Sequence, residues 1–470
     1  MLFSSIFFLC IFMPVTLILY YIVPWKFKNL LLLIASLIFY AWGEPVYVFL
    51  MMFSIVFNYI AGIQMGDLKK LRLYRRRKLV FIFTVAVNIG MLGFFKYADF
   101  IITNIGGIFG AQSKGLGLSL PIGISFYTFQ ILSYIIDVYW GKVPVQKNII
   151  NFGAYITMFP QLIAGPIVRY EDIMHQLKHR RIDLNTVSDG AVWFIKGLVK
   201  KVLLANNIGM AFDTIVAIDA SQRAVVTTWL MAIAYTFQIY FDFSGYSDMA
   251  VGLGKMMGFE FVQNFDHPYM STSAGEFWRR WHISLGTWFR EYVYIPLGGN
   301  RCSTIKVFRN TMVVWLLTGF WHGADWNFIL WGLYFGILLM VEKYFLNRIL
   351  ERLPGIIRHA YGFAVAAFGW VLFSATSLSQ IGQTICSGVG GYGTAFIDST
   401  TIYYLSTNLI LLIACILCAT PLAGNVFKWL YRKKGTIGQV IGIVLCCLGL
   451  VISVAYLVNA TYNPFLYFRF

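Results

Sequence analysis

Apolar stretches of helix length recur along the chain, separated by short polar or basic connections. The run from Met1 to Val23 has neither a basic leader nor a small-residue cleavage site, so it is expected to be a retained first helix and not a signal peptide. Further spans are predicted near 29–42, 45–64, 79–97, 121–138, 190–216, 224–257, 359–375, 402–420 and 437–458. The stretches 148–168 and 311–341 carry Gly and polar residues where a simple span would not, and are expected to dip in and return. Strands of alternating polarity, which a transmembrane barrel needs, are absent. The pattern predicts an all-α polytopic membrane protein with about ten or more helices, one integral domain over residues 1–470.

The run Thr311 to Val341, TMVVWLLTGFWHGADWNFILWGLYFGILLMV, holds His322 and Asp325 inside otherwise membrane-compatible sequence. As one straight helix it would reach roughly 46 Å, well beyond a hydrocarbon core of about 30 Å. Gly319, Gly323, Asp325 and Asn327 near its middle predict two helical pieces meeting at a break, with His322 there among Phe320, Trp321 and Trp326. An imidazole accepts a proton near neutral pH, and ionisable groups in such surroundings are usually functional. Asp325, three positions on, is close enough on a helix to orient the ring. The competing reading is a packed histidine bonded to a neighbouring carbonyl.

Residues 273–292, SAGEFWRRWHISLGTWFREY, begin with Ser273 and Glu276 in capping-box spacing, which predicts a helix start. Trp278, Trp281, Leu285, Trp288 and Tyr292 repeat along one face, with Arg279, Arg280, Arg290 and Glu291 on the other side. Such a helix should lie along the cytoplasmic interface with its tryptophans in the acyl boundary. His282, at the edge of the stripe, reads either as interfacial packing or as a second polar group near the mouth of a cavity floored by His322. A polar cluster, Tyr240, Asp242, Ser244, Tyr246, Ser247 and Asp248, interrupts the run 224–259; it fits a lined cavity or a helix end at the interface. In QLIAGPIVR at 161–169 the Gly-Pro pair stops a helix and suits a re-entrant turn. The GxxxG pairs Gly319/Gly323 and Gly332/Gly336 suit close helix packing.

Composition agrees with a membrane chain: of 470 residues 59% are hydrophobic and 12% charged. The net charge of +17 gathers in connections, Lys69 to Lys78 and Arg432 to Lys434 above all, and the positive-inside rule puts these in the cytoplasm. Lys26 and Lys28, Lys142 and Lys147, Lys178 to Arg181 and Arg279 to Arg309 then fall on the same side, with both termini outside. A basic cytoplasmic face attracts anionic membrane lipid and would also draw a phosphate-bearing substrate. Charge scattered over membrane-proximal loops does not suit nucleic acid. The seven cysteines form no disulfide framework, and the Cys415/Cys418 spacing lies in an apolar run, so no metal site is predicted. No Walker loop, GxSxG elbow, HExxH or dinucleotide fingerprint occurs, which leaves chemistry centred on histidine.

EFWRRWHISLGTWFREYVYIPLGGNR at 276 and TGFWHGADWNFILWG at 318 resemble the membrane-bound O-acyltransferase (MBOAT) family. Further matches are PIGISFYTFQ at 121, FPQLIAGPIVRYED at 159, YFDFSGYSDMA at 240 and NFDHPYMSTS at 264, in order over a core of about 120–345; the closing YFRF has the same look. The chain is most similar to members that acetylate exported polysaccharides, alginate among them. YIPLGGNR separates it from the exporters of D-alanine to teichoic acid. The resemblance implies a ring of tilted helices with re-entrant segments and a central funnel. It maps the catalytic histidine onto His322 and the second motif histidine onto His282. It also implies acetyl-CoA as donor, no bound cofactor, an exported polysaccharide as final acceptor, an extracytoplasmic SGNH-type partner and a bacterial cytoplasmic membrane. Trp281, Trp321, Asp242 and Ser244 are candidate substrate contacts; Arg279 and Arg280 would meet donor phosphates or lipid. Two other readings stay open: D-alanyl transfer from a carrier protein, and a transporter or flippase without covalent chemistry.

Overall fold

The computed structural model describes residues 1–110, 115–433, 435–459 and 462–466. The closing YFRF and Lys434 lie outside them, as do the side chains of Arg432 and Lys433. The described residues are helices joined by turns, with no strand among them. They form two compact units, Met1–Phe194 with Met249–Val262, and Ile195–Asp248 with Gln263–Phe470.

In the first unit, Lys28–Ala41, Tyr47–Lys70, Tyr74–Ile108 and Ile124–Trp140 are the principal helices. Phe3, Phe8, Phe12, Phe39 and Phe159 make its aromatic centre, with ring centroids between 4.9 and 6.5 Å apart. Asn58 and Asn88 exchange two hydrogen bonds of 3.0 and 2.8 Å, joining two helices by groups that lipid could not satisfy. The basic connection at 69–78 is shorter than its charge suggests. Arg72 makes the turn in left-handed backbone (φ 56°) and Tyr74 starts the next helix, because Arg and Lys sustain a helical first turn. Arg77 is buried and donates to the carbonyls of Val138 (2.9 Å) and Tyr139 (2.6 Å), where a cation complements a helix C-terminus. The segment expected to dip and return at 148–168 is a nine-residue helix, Ile149–Thr157, started by Asn148. It stops at Met158, next but one before Pro160, and the short turn Phe159–Leu162 that follows is buried in protein.

In the second unit, Thr304–His322 and Trp326–Val341 form an antiparallel hairpin. A Cβ on Gly319 would strike the Phe328 carbonyl, and one on Gly332 would strike the Trp315 carbonyl, so the two backbones meet along a glycine seam. The predicted break is therefore real, and it is the turn of a full helical hairpin. Gly355–Ser374 packs against the same hairpin. The polar cluster 240–248 lies inside the continuous helix Val225–Met256, which removes the helix-end reading.

Among the described residues, five helices are individually long and apolar enough to cross a membrane, six if the pair Ser399–Thr407 and Leu409–Ala419, bent by 58°, counts as one span. This count takes each helix singly by length and composition, and does not itself number the spans of the expected ring of about ten or more. Several predicted spans are short or, like Val225–Met256 with Asp242 and Asp248, carry charge inside the protein.

Gly332→Ala is expected to destabilise the purified protein by about 1–3 kcal/mol through backbone overpacking, read as a lower unfolding midpoint in detergent. Gly93→Ala, where an added Cβ meets nothing within 4 Å, should leave the midpoint unchanged. Equal midpoints for both would rule out the close seam.

Candidate functional site

The hairpin turn sets the position of His322. It ends its helix, Gly323 follows in extended backbone, and Asp325 begins the next helix by accepting from the Trp326 amide at 2.6 Å. The helical spacing that linked Asp325 to His322 does not hold, since the helix breaks between them. The His322 ring is buried against Trp321 (5.0 Å), Trp331 (5.1 Å) and Phe373 (5.1 Å), each near edge-on. It opens onto a small pocket shared with Asp242, Phe243, Trp281, Trp370 and Phe373, closed on its remaining sides by Ile239 and Leu466.

The aromatic segment 273–292 is two short helices and not one. Ser273 starts the first by accepting from the Glu276 amide, as expected, but the Glu276 carboxylate reaches Thr272 instead of completing the box. The chain breaks at Trp281 and His282, the latter in left-handed backbone (φ 46°), before Ile283–Phe289. Histidine is among the residues that tolerate this region, and such outliers gather at functional sites. Nor does the aromatic stripe face lipid. Trp281, Leu285, Trp288 and Tyr292 are buried, and Trp278 packs on Trp315 (4.7 Å) and Phe335 (4.8 Å). Inward packing at the break is incompatible with a straight helix lying on the interface.

Asn264 holds the break. Its side-chain oxygen accepts from the Ser284 amide (3.1 Å), the Ser284 hydroxyl (2.9 Å) and His282 Nδ1 (3.2 Å). The backbone amide identifies that atom as oxygen, so Nδ1 must carry the proton and Nε2 is left as an acceptor. Nε2 is buried and has no partner among the described residues. Burial pushes the His282 pKa down to about 3, so this ring is neutral near pH 7. His282 meets Trp321 at 5.9 Å, and Trp321 meets His322, so one indole joins the two histidines.

Asp242 does line the pocket, but its carboxylate is engaged. It pairs with Lys201 at 2.6 Å, both side chains buried, and accepts from the Leu466 amide at 2.9 Å. Lys201 Nζ also donates to the Pro464 carbonyl. The segment Tyr462–Leu466 is thereby tied to the pocket wall, with Tyr462 donating to Asp213 at 2.6 Å. Ser244 lies off the pocket, 3.5 Å from Lys200 Nζ. Arg279 is exposed and Arg280 is held by Glu276 (2.8 Å) and Asp266 (4.0 Å), so neither guanidinium lines the pocket. Sequence reasoning missed Lys201, Asn264, Trp370, Phe373 and Leu466. A lysine within the run 190–216 was a readable signal for Lys201. The aromatic pair carried none, because apolar residues in apolar spans do not announce a cavity.

The model of the family "MBOAT, membrane-bound O-acyltransferase family" matches residues 142–382. A probable alginate O-acetylase of Pseudomonas aeruginosa is 44% identical over 398 residues, 84% of this chain and 76% of that protein. A peptidoglycan O-acetyltransferase of Helicobacter pylori is 35% identical over 429 residues, 83% and 80% respectively. A teichoic acid D-alanyltransferase of Bacillus subtilis is 28% identical over 277 residues, 54% and 68%.

Neutral burial of His282 has a sign that can be measured. Its folded pKa is depressed, so its contribution to stability is full above the unfolded value near 6.5 and declines as pH falls towards 3. In His282→Asn, which tolerates the backbone, the unfolding midpoint should fall less between pH 7 and pH 4 than in the wild type. Identical pH slopes would exclude a buried neutral imidazole. Asn264→Ala should destabilise the protein by about 1–3 kcal/mol, read as a lower unfolding midpoint, as buried donors lose their acceptor.

Proposed function

The chain belongs to the membrane-bound O-acyltransferase family and is an O-acyltransferase of a multi-pass membrane protein type, and from that premise we propose that it passes an acetyl group across the bacterial cytoplasmic membrane for O-acetylation of an exported polysaccharide. The donor is acetyl-CoA arriving from the cytoplasm. The acetyl group leaves on the outer face to an SGNH-type partner, which completes transfer to the sugar. Both termini lie outside, an orientation supported by the basic connections.

The observation that carries this reading is His322 at the hairpin turn, buried in an aromatic cage and open to a pocket. An imidazole so placed serves as a general base or as a transient acyl carrier, and we take it to be the base. The imidazole takes the proton of an acceptor hydroxyl as its oxygen attacks the thioester carbonyl; the carbon–sulfur bond breaks and the thiol leaves with a proton. The aromatic walls exclude water, which would otherwise compete as acceptor. Trp331 and Phe373 hold the ring in place, and Trp281 closes the pocket opposite. His282, neutral with Nε2 as acceptor, suits a hydrogen bond to a donor N–H or S–H and not a second proton transfer at neutral pH. The likeness to both O-acetyl-transferring relatives over more than four fifths of the chain favours acetyl over D-alanyl.

In proteoliposomes given labelled acetyl-CoA on the face bearing the basic connections, His322→Ala is expected to lower transfer to an SGNH partner by about 10²–10⁴-fold while the unfolding midpoint stays within that of the wild type. Unchanged turnover would make His322 a packing residue. A wild type that ignores acetyl-CoA and accepts a D-alanyl carrier protein would replace the donor.

A further inference from the structure

Two basic connections that are some 150 residues apart in the chain come together in the first unit. The Trp25 indole N–H donates to the Lys178 carbonyl at 3.3 Å, and the Asn29 amide to the Leu177 carbonyl at 2.8 Å. This docking buries Lys28 and half-buries Arg180, both against the Tyr20 side chain. Lys28 is 8% exposed; its ammonium donates to the Tyr20 carbonyl and lies 4.3 Å from the Tyr20 ring centre. The Arg180 guanidinium lies 4.3 Å from the Phe259 ring centre and 4.9 Å from that of Trp25; Nε donates to the Tyr20 hydroxyl (2.7 Å) and Nη1 to the Gln176 carbonyl (3.1 Å).

No carboxylate among the described residues forms an ion pair with either group. The acidic neighbours in sequence are occupied: Asp172 pairs with Arg169, and Asp183 accepts from Thr186. Arg180 Nη2 is buried and has no hydrogen-bond partner among the described residues. Around this pair Lys26, Lys178 and Arg181 are exposed, adding positive charge at the rim. Aromatic faces attract a cation but do not neutralise it, and buried charge without a counter-ion is costly to maintain. The group whose chemistry matches these donors is an anion with several oxygens, one for the remaining edge of the guanidinium fork and one for the ammonium.

We propose that Lys28 and Arg180 form a phosphate-binding site, with Trp25 as its cover. The Trp25 indole is exposed and is held by one hydrogen bond of 3.3 Å and by the Arg180 guanidinium against its face, so turning it aside admits phosphate oxygens to Nη2 and Nζ. The phosphate belongs either to an anionic lipid headgroup or to a soluble phosphate compound; the recognition chemistry is shared. The site involves neither histidine and is independent of the acyl-transfer reading.

The test uses the full chain, delipidated in detergent, with native mass spectrometry and unfolding midpoints as readouts. Probes are phosphatidylglycerol, diacylglycerol of the same chain length, and inorganic pyrophosphate. Wild type should bind one phosphatidylglycerol in preference to diacylglycerol, or gain stability from pyrophosphate. The first result assigns the site to lipid and the second to soluble phosphate. Lys28→Gln with Arg180→Gln should weaken the effective probe about tenfold, whereas Arg75→Gln with Arg76→Gln, exposed charges elsewhere, should not. A wild type indifferent to all phosphate probes overturns the site, even if the double variant fails to fold, and so does a folded double variant that binds as wild type does.

Discussion

Everything at the candidate site follows from how closely two backbones approach in the hairpin Thr304–Val341. Gly319 and Gly332 leave no side chain between the helices, so each meets a carbonyl of the other strand of the hairpin. Helices this close must turn within a few residues, and the turn carries His322 at its lip. Gly323 completes the arrangement, because a Cβ there would enter the Phe328 ring. With larger residues along the seam the helices would separate, the Trp331 and Phe373 rings would lose their edge-on contact with the imidazole, and the pocket wall would open. Glycine spacing that in sequence reads only as packing is thus what positions the candidate base.

A second constraint is the buried Lys201–Asp242 pair. Removing two charges from water is unfavourable, and such pairs specify an arrangement more than they add stability. Here the arrangement includes backbone: Lys201 takes the Pro464 carbonyl and Asp242 the Leu466 amide, so one ion pair seats Tyr462–Leu466 against the pocket. Asp242 is accordingly less free to meet a substrate than its place in the polar cluster suggests. Its neighbour Asp248 is likewise engaged, by Lys200 at 2.8 Å and Lys196 at 3.5 Å. A cluster that looked like one lined cavity contains one wall residue, two carboxylates paired with three lysines, and several packed hydroxyls.

The histidine break at 281–282 illustrates where pattern reasoning stops. Periodicity reads Trp278, Trp281, Leu285, Trp288 and Tyr292 as one face, and each is indeed turned inward or half-buried. Yet the same period cannot tell lipid from protein, since both are apolar, and it cannot see a left-handed residue at His282. The break depends on Asn264, eighteen positions earlier, whose oxygen gathers Ser284 and His282. The distant Lys28 and Arg180 pose the same problem in reverse, for each looks like an ordinary loop cation until folding brings both against Tyr20.

By itself the sequence determined the all-helical membrane class, the broken helix at His322 and, through its ordered motifs, the family. These are local or compositional properties: hydropathy, glycine and proline placement, and charge distribution are written in adjacent residues. Tertiary structure alone decided which aromatic rings enclose His322, that Asp325 caps a helix instead of sharing one with His322, that Arg280 is spent on Glu276 and Asp266, and that Lys201 ties Tyr462–Leu466 to the pocket. The Phe373 wall and the Lys201 tie depend on residues far apart in the chain being brought within a few ångströms, while the Asp325 cap and the Arg280–Glu276 pair are local contacts that exist only because the chain breaks where it does, which no periodicity records.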